Sequence, residues 1–519
     1  MNPRLSSSLE ALETRIAPAG IVKLSYVAGV LTLTGDAASN QVSVTGTNGL
    51  GAFVTPEGDT LLQVGTGAPF AGTLELRSVL DVKVALGAGD DTFILQSADI
   101  ARSVAVNLGA GENLAVIDTS TILGSLKITG GSGRDTLDIA SNELIVGRDL
   151  SVALGGGENS TFSGNGRIEI GGKLTYTGGA GSDTLSLTPT NLSIGGAVSI
   201  TTGAGLSTVA LNAGASVVYG GPIAVIVGAH AEGASRIEIT SPGDLTVRGP
   251  VNITGSADDE NIVIEAGARL TLGGALTVNT GAGTDLLRIE APDALFVGNV
   301  NLKGTNELTA GGYFSESGFF GGSLNYLGGR GTDNFTLEGV SAVSGKTSVN
   351  FAGGNGQTFI SAGRVGQSTE FTGGLAFKLT GAVTDTIFGP TNDTSLVAIS
   401  YAFLNGPSSL LLGGGEDTVL LDNIDFNVAT TLSLGAGADD LRLETRGLAG
   451  VSNLNALLGV NLGVGNDLAR YGGNTAADRV VVSVAGTLDG GAGSDAFSYL
   501  AQGNVFTKTI TVLNVETTT

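Results

Sequence analysis

The chain has 519 residues, of which 85 are Gly and 11 Pro; 41% are hydrophobic and only 14% charged, the balance of a folded chain rather than a disordered one. A net charge of −23 repels phosphate backbones, which excludes ordinary nucleic-acid binding, and it attracts cations. With no Cys, no Trp and a single His (His230), the sequence has no disulfides, thiol nucleophiles, Cys–zinc centres, multi-histidine relays or tryptophan sugar platforms.

Residues 1–19 stand apart from the rest as a targeting or disordered segment. The stretch Leu9-Glu-Ala-Leu-Glu-Thr-Arg-Ile-Ala-Pro-Ala19 resembles the short Leu-Glu-x-Leu-Glu-x-Arg segment at the start of large exported repeat proteins of some bacteria. It is not a standard signal peptide, because no apolar core follows Arg4, although Ala17-Pro-Ala19 has the small residues of a cleavage site. A plain disordered or helical tail is the alternative. Residues 20–80 alternate loosely, as in Val30-Leu-Thr-Leu-Thr34 and Gln41-Val-Ser-Val-Thr45, and are expected to form a cap and the first irregular coils.

From 81 to 500 the chain repeats. A Gly-x-Gly corner recurs with its second Gly at 89, 111, 133, 157, 181 and 205, so that one repeat is 22 to 24 residues. A period-2 strand precedes each corner (Val104-x-Val106-x-Leu108, Val198-x-Ile200) and another follows it (Leu137-x-Ile139, Leu185-x-Leu187, Phe335-x-Leu337). A third ends in a glycine turn (Leu192-Ser-Ile194-Gly-Gly, Leu270-Thr-Leu272-Gly-Gly). Short strands joined by turns in about 22–28 residues make one coil of a parallel β-helix. The predicted fold is therefore all-β, a single-stranded right-handed parallel β-helix or β-solenoid, the right-handed sense following the handedness of parallel crossovers.

Leu187, Ile200 and Leu337 are expected to face the core. The apolar run from Val217 to Ala231, broken by glycines and Pro222, reads as buried strand, not a membrane span. Tyr313, Phe314, Phe319, Phe320 and Tyr326 read as aromatic stacks inside the core, and His230 as a satisfied turn or surface residue. The segment between Asp385 and Gly415 is long for one coil and reads as an insertion. Residues 501–519 are expected to form a last strand, Thr507 to Val515, and a polar tail.

The corners carry the chemistry. Gly130-Gly-Ser-Gly-Arg-Asp-Thr-Leu137, Gly178-Gly-Ala-Gly-Ser-Asp-Thr-Leu185, Gly328-Gly-Arg-Gly-Thr-Asp333 and Gly490-Gly-Ala-Gly-Ser-Asp495 resemble the haemolysin-type (repeat-in-toxin) calcium repeat, Gly-Gly-x-Gly-x-Asp-x-apolar-x. In that family turn carbonyls and the Asp of stacked coils bind Ca²⁺, and the resemblance implies the same for Asp135, Asp183, Asp333 and Asp495. Asp91, Asp259, Asp285, Asp385, Asp417, Asp439 and Asp467 occupy related corners and complete the candidate ligand set. The family repeats its turn every nine residues, whereas this chain has one such turn per coil. Asn113, Asn159 and Ser207 replace the Asp at three corners. The alternative is a tight β-arc whose Asp only hydrogen-bonds the turn backbone. The run Asp417, Asp439, Asp467, Asp495 is uninterrupted, which places the tightest calcium sites in residues 413–497, with Asp259 and Asp285 as a second candidate.

Paired acids at Asp90-Asp91, Asp258-Asp259 and Asp439-Asp440 do not make a catalytic dyad, since neighbours on a strand point to opposite faces. The sequence therefore reads as a structural or adhesive β-solenoid outside a bacterial cell or on its surface, an adhesin or surface-layer component stiffened by Ca²⁺. Its partners would be other surface proteins or polysaccharides, with no nucleic acid and no transmembrane segment, and nothing sets an oligomeric state. The rival is a polysaccharide lyase or hydrolase on the same fold, supported by fold analogy alone.

Overall fold

The computed structural model describes residues 20–47, 49–139, 142–230, 233–351, 358–362, 368–379, 396–445, 450–473, 478–499 and 503–519. The N-terminal segment 1–19 and Asp385 lie outside the described residues. The chain is all-β: its stacked parallel strands form a β-solenoid of about 16 turns. No helix among the described residues is long and apolar enough to cross a membrane. At about 4.8 Å per rung the stack is roughly 75–80 Å long.

One coil shows how the sequence makes the turn. Strands Leu174–Thr177, Thr184–Leu187 and Asn191–Ile194 follow one another, with the Gly178-to-Asp183 corner between the first two. Leu174, Tyr176, Leu185, Leu187, Leu192 and Ile194 are buried, while Thr175, Ser186 and Ser193, which alternate with them within the strands, face outward. That is the period-2 alternation of a strand with one wet face. The first strand of each coil joins one long sheet, and the second and third join another.

Stacking is in register. Leu126, Leu150, Leu174, Val198, Ile223, Val251, Leu276, Val300 and Leu324 lie directly above one another, so each coil presents an apolar residue to the same residue type in the next. Leu187, Ile200 and Leu337 are buried as expected. Each such side chain contributes about 2 kcal/mol of burial. The Val217–Ala231 run becomes strands Val217–Tyr219 and Ile223–Ile226, with Val217, Tyr219, Ile223 and Val225 inside and Val218 and Ile226 exposed.

The ends and middle depart from the regular coil. At the N-terminus, Val30–Thr34 stacks in parallel on Asp81–Ala85, and Ile21–Val27 folds back antiparallel on it. Two further antiparallel pairings join Gln41–Gly46 to Ala52–Pro56, and Ala52–Pro56 to Leu74–Leu76. Folding back in this way covers a sheet edge that would otherwise template pairing with another chain. In the middle, the second and third strands fuse into long ones, Thr284–Phe296 and Glu307–Phe320. Phe296, Phe314 and Phe320 stack in the core there, and Tyr326 stacks on Phe335 at 4.5 Å. Of the five aromatic residues expected inside, Phe314, Phe320 and Tyr326 are buried, whereas Phe319 is exposed and Tyr313 half-buried.

The long coil is present: Ala376 pairs with Ser409, a step of 33 residues where neighbouring coils take 22 to 28, although its extra chain falls at 380–395, outside the described residues. The expected last strand is instead three short ones, Val505–Phe506, Ile510–Leu513 and Thr517–Thr518. They stack on Val481–Val482, Gly486–Asp489 and Ala496–Phe497 as a final rung.

Candidate functional site

The corner Asp has the same strand parity as the apolar residues that follow it: Asp183, Leu185 and Leu187 all point inward. The result is a polar column along one inner edge of the core. In register it reads Asn40, Asp91, Asn113, Asp135, Asn159, Asp183, Ser207, Ser235, Glu260, Asp285, Leu308, Asp333. After the coils around 357 and 395 it resumes as Asp417, Asp439, Asp467, Asp495 and Glu516. Every carboxylate named from Asp91 to Asp495 is at most 2% exposed. Glycine lets the turns stack this closely. Gly133 has φ +122°, and a Cβ there would lie 2.2 Å from Gly111 O in the coil before.

In the N-terminal half, acid and amide alternate. Asn113 Nδ2 donates to Gly109 O (3.4 Å), Gly111 O (3.2 Å) and Asp135 Oδ1 (2.7 Å). Asn159 repeats the pattern toward Gly155 O (3.0 Å), Gly157 O (3.3 Å) and Asp183 Oδ1 (3.0 Å). Asn40 Nδ2 reaches Ala38 O (2.6 Å) and Asp91 Oδ1 (3.3 Å). The second carboxylate oxygens of Asp135 and Asp183 are also served: Gly131 N donates to Asp135 Oδ2 (3.0 Å), and Gly179 N (3.0 Å) and Gly203 N (3.2 Å) donate to Asp183 Oδ2, whereas Asp91 Oδ2 has no partner among the described residues. Burial raises the carboxyls of Asp135 and Asp183 above the usual range, opposed by these donors. Asp91 is pushed up to about 6 by burial, against the N–H groups of Asn40.

The C-terminal run is built differently. Asp417 N, Asp439 N and Asp467 N donate to Oδ1 of the next Asp at 2.8, 2.9 and 2.9 Å, and Asp495 N donates to Glu516 Oε2 at 2.6 Å. The buried Oδ2 atoms of Asp439, Asp467 and Asp495 have no hydrogen-bond partner among the described residues. Burial pushes Asp439 up to about 7, helped by the neighbouring carboxylates of Asp417 and Asp467, and raises Asp467 as well.

Two further acids adjoin in the middle. Glu260, not Asp259, takes the inward place: Ser235 pairs with Glu260, and Glu260 N donates to Asp285 Oδ1 at 3.0 Å. Asp259 lies beside the column, its Oδ1 accepting from Thr284 N at 2.8 Å. The reason is parity: Glu260-x-Ile262-x-Ile264 carries the alternation that Asp183-x-Leu185-x-Leu187 carries elsewhere. Burial pushes Glu260 up to about 7 and raises Asp285. At the next rung Leu308 replaces the acid, and its backbone N donates to Asp333 Oδ1 at 2.8 Å. Asp333 is pushed up to about 6 by burial.

The paired acids split as expected at two sites: Asp91 and Asp439 are buried, while Asp90 is exposed and Asp440 half-buried. His230 is 8% exposed, buried rather than at the surface, and neither ring nitrogen has a partner among the described residues. A second buried group, absent from the sequence expectations, sits in the C-terminal coils. There Glu444 Oε2 accepts from Ser452 Oγ (2.5 Å) and Asn423 N (2.8 Å), close to Asp422 and Asp478. On the outer wall, Glu265, Glu290, Tyr313 and Glu338 lie on successive rungs and line an open concavity of about 500 Å³.

Among the described residues no three acidic or histidine side chains converge as a ready metal site, so a bound Ca²⁺ would take most of its six to eight oxygens from turn carbonyls. The Asn corners do not fit the ion, because an amide nitrogen already sits among the oxygens. Asp135 and Asp183 have both oxygens occupied by N–H donors. The corners of Asp439, Asp467 and Asp495 fit, each adding a buried carboxylate oxygen without a donor. Compared with protein-family models, curated proteins and solved structures, the chain matches none.

Proposed function

We propose that the protein is a structural or adhesive β-solenoid, exported to the surface or surroundings of a bacterial cell, whose C-terminal coils are stiffened by Ca²⁺. The fold fits a structural repeat protein. The observation that carries the calcium reading is the file of buried, donor-free Oδ2 atoms at Asp439, Asp467 and Asp495. The turn residues at the same offsets, Gly435 and Gly437, Gly463 and Gly465, Gly491 and Gly493, supply carbonyls a hard cation takes as ligands. The resemblance of the corners to haemolysin-type repeats points the same way. An acidic, cysteine-free repeat chain headed by an export-like segment supports a place outside the cell. In this reading the protein is no enzyme, and other surface proteins or polysaccharides are its partners. Hydrogen exchange in Ca²⁺ and in EGTA tests it: residues 413–499 lose protection in EGTA while residues 81–210 do not. Equal protection of the C-terminal coils in both conditions would leave the corners as plain β-arcs.

A further inference from the structure

The alternation of acid and amide in the first half of the column has a chemical consequence. At Asn159, three oxygens from two coils (Gly155 O, Gly157 O and Asp183 Oδ1) converge on one Nδ2 at 3.0 to 3.3 Å. Asn113 has the same arrangement. At Asp467 the residues at those offsets are Gly463 and Gly465, and the next rung again offers a carboxylate, Asp495. There the side chain contributes an oxygen in place of the amide nitrogen. Oxygens that converge on a donor are stable; oxygens that converge on another oxygen need a proton or a cation between them.

We propose that the side-chain amides of Asn113 and Asn159 are built-in substitutes for a bound cation, so that the choice of Asn or Asp at each corner decides whether that coil stands alone or depends on Ca²⁺. The inference rests on the calcium reading for its C-terminal half and on geometry alone for its N-terminal half. An amide satisfies the turn carbonyls and the next carboxylate permanently, independent of solution conditions. A carboxylate at the same place leaves that task to a ligand. The solenoid is then divided into an autonomous N-terminal stack, assembled without metal, and a C-terminal stack that tightens only where free calcium is abundant, as it is outside a cell.

The test is hydrogen exchange of the full chain near neutral pH, in EGTA and in millimolar CaCl₂, for the wild type and three variants. Asn113→Asp/Asn159→Asp should exchange at least about tenfold faster over residues 104–212 in EGTA, since it leaves buried oxygens without a donor between them. Calcium should restore its protection. Asn159→Asp alone should do the same over fewer coils, in case the double variant fails to fold. The reverse variant, Asp467→Asn, recreates the amide–acid alternation between Asp439 and Asp495. It should exchange more slowly in EGTA over residues 458–499 and lose sensitivity to calcium. If both Asn→Asp variants exchange like wild type in EGTA, or Asp467→Asn gains nothing there, the substitution idea is overturned. Failure of the calcium reading looks different. The Asn→Asp variants would then weaken in EGTA and recover on mild acidification but not with calcium, and wild-type C-terminal coils would ignore the metal.

Discussion

Stacked turns should make one glycine indispensable and its neighbour dispensable. A Cβ on Gly179 would lie 1.4 Å from Gly155 O of the preceding coil, whereas a Cβ on Gly156 would find nothing nearer than 3.9 Å. Real Cβ contacts are essentially never shorter than 3.0 Å, so Gly179→Ala must push the two turns about 1.6 Å apart. Two hydrogen bonds join those two turns, Leu154 N to Thr177 O at 3.2 Å and Asn159 Nδ2 to Asp183 Oδ1 at 3.0 Å. Stretched by that amount, neither remains a hydrogen bond. Two lost bonds at about 1 kcal/mol each, with a buried carboxylate oxygen left short of a donor at about 1–3 kcal/mol, give a loss of about 3–5 kcal/mol. Gly156→Ala meets no clash and no left-handed φ, so it should be neutral or stabilise by about 0.4–1 kcal/mol through the unfolded chain. The assay is urea unfolding by circular dichroism, with peptide-level hydrogen exchange over 174–212 to localise the effect, because a solenoid need not unfold in one step. Equal midpoints and equal exchange for the two variants would refute the close stacking of turns.

Stability without metal should rise as pH falls. Glu260 has its folded pKa raised to about 7, and Asp91 and Asp333 theirs to about 6, all above unfolded values near 4. A raised acid binds its proton more tightly when folded, so the melting temperature in EGTA should climb from about pH 8 to about pH 5; a flat or falling profile counts against buried ionised acids. Leu187→Ala should cost about 2–5 kcal/mol, since Leu187 is 1% exposed between Ser163-side and Leu211-side strands; a melting point unchanged from wild type would mean the inward register is wrong. Asp183→Leu should be worse than a simple loss of one side-chain pair, costing about 3 kcal/mol or more. Adding Asn159→Leu should not recover it, because Gly179 N and Gly203 N still lack an acceptor; full recovery in a double-mutant cycle would contradict that account.

Much of the architecture was legible because strand parity and glycine spacing are local signals. Alternation placed Leu187, Ile200 and Leu337 in the core, and the roughly 24-residue step placed Asp417, Asp439, Asp467 and Asp495 on consecutive rungs. Where a motif and parity disagreed, parity was the better guide: Asp259 completes the corner motif, but Glu260 shares phase with Ile262 and Ile264 and goes inside. The antiparallel pairings of residues 20–80 were not legible, since an alternating strand looks the same whichever direction its neighbour runs. Asn113 and Asn159 read as corners that had lost their ligand. Their donor role depends on which coil lies above, a long-range relation that no local pattern contains.

The persistence of acids in this core follows from the backbone rather than from pairing alone. A buried carboxylate is costly, and swapping a buried polar pair for apolar residues is often neutral elsewhere. Here the chain turns sharply at each corner, and the turn cannot satisfy all its own N–H groups. Gly131 N, Gly179 N and Gly203 N point inward and find acceptors only in Asp135 and Asp183. Likewise the N–H of each C-terminal Asp is met by the carboxylate one coil on. Each inward acid thus caps donors that every stacked Gly-rich corner generates, which is why a polar column runs beside an otherwise apolar core. Once acids are required at the corner, what lies between successive acids is the remaining variable. An amide there fixes the coil in all conditions, a leucine such as Leu308 removes one acid altogether, and an unbroken file of Asp leaves the rung open to whatever cation the surroundings provide.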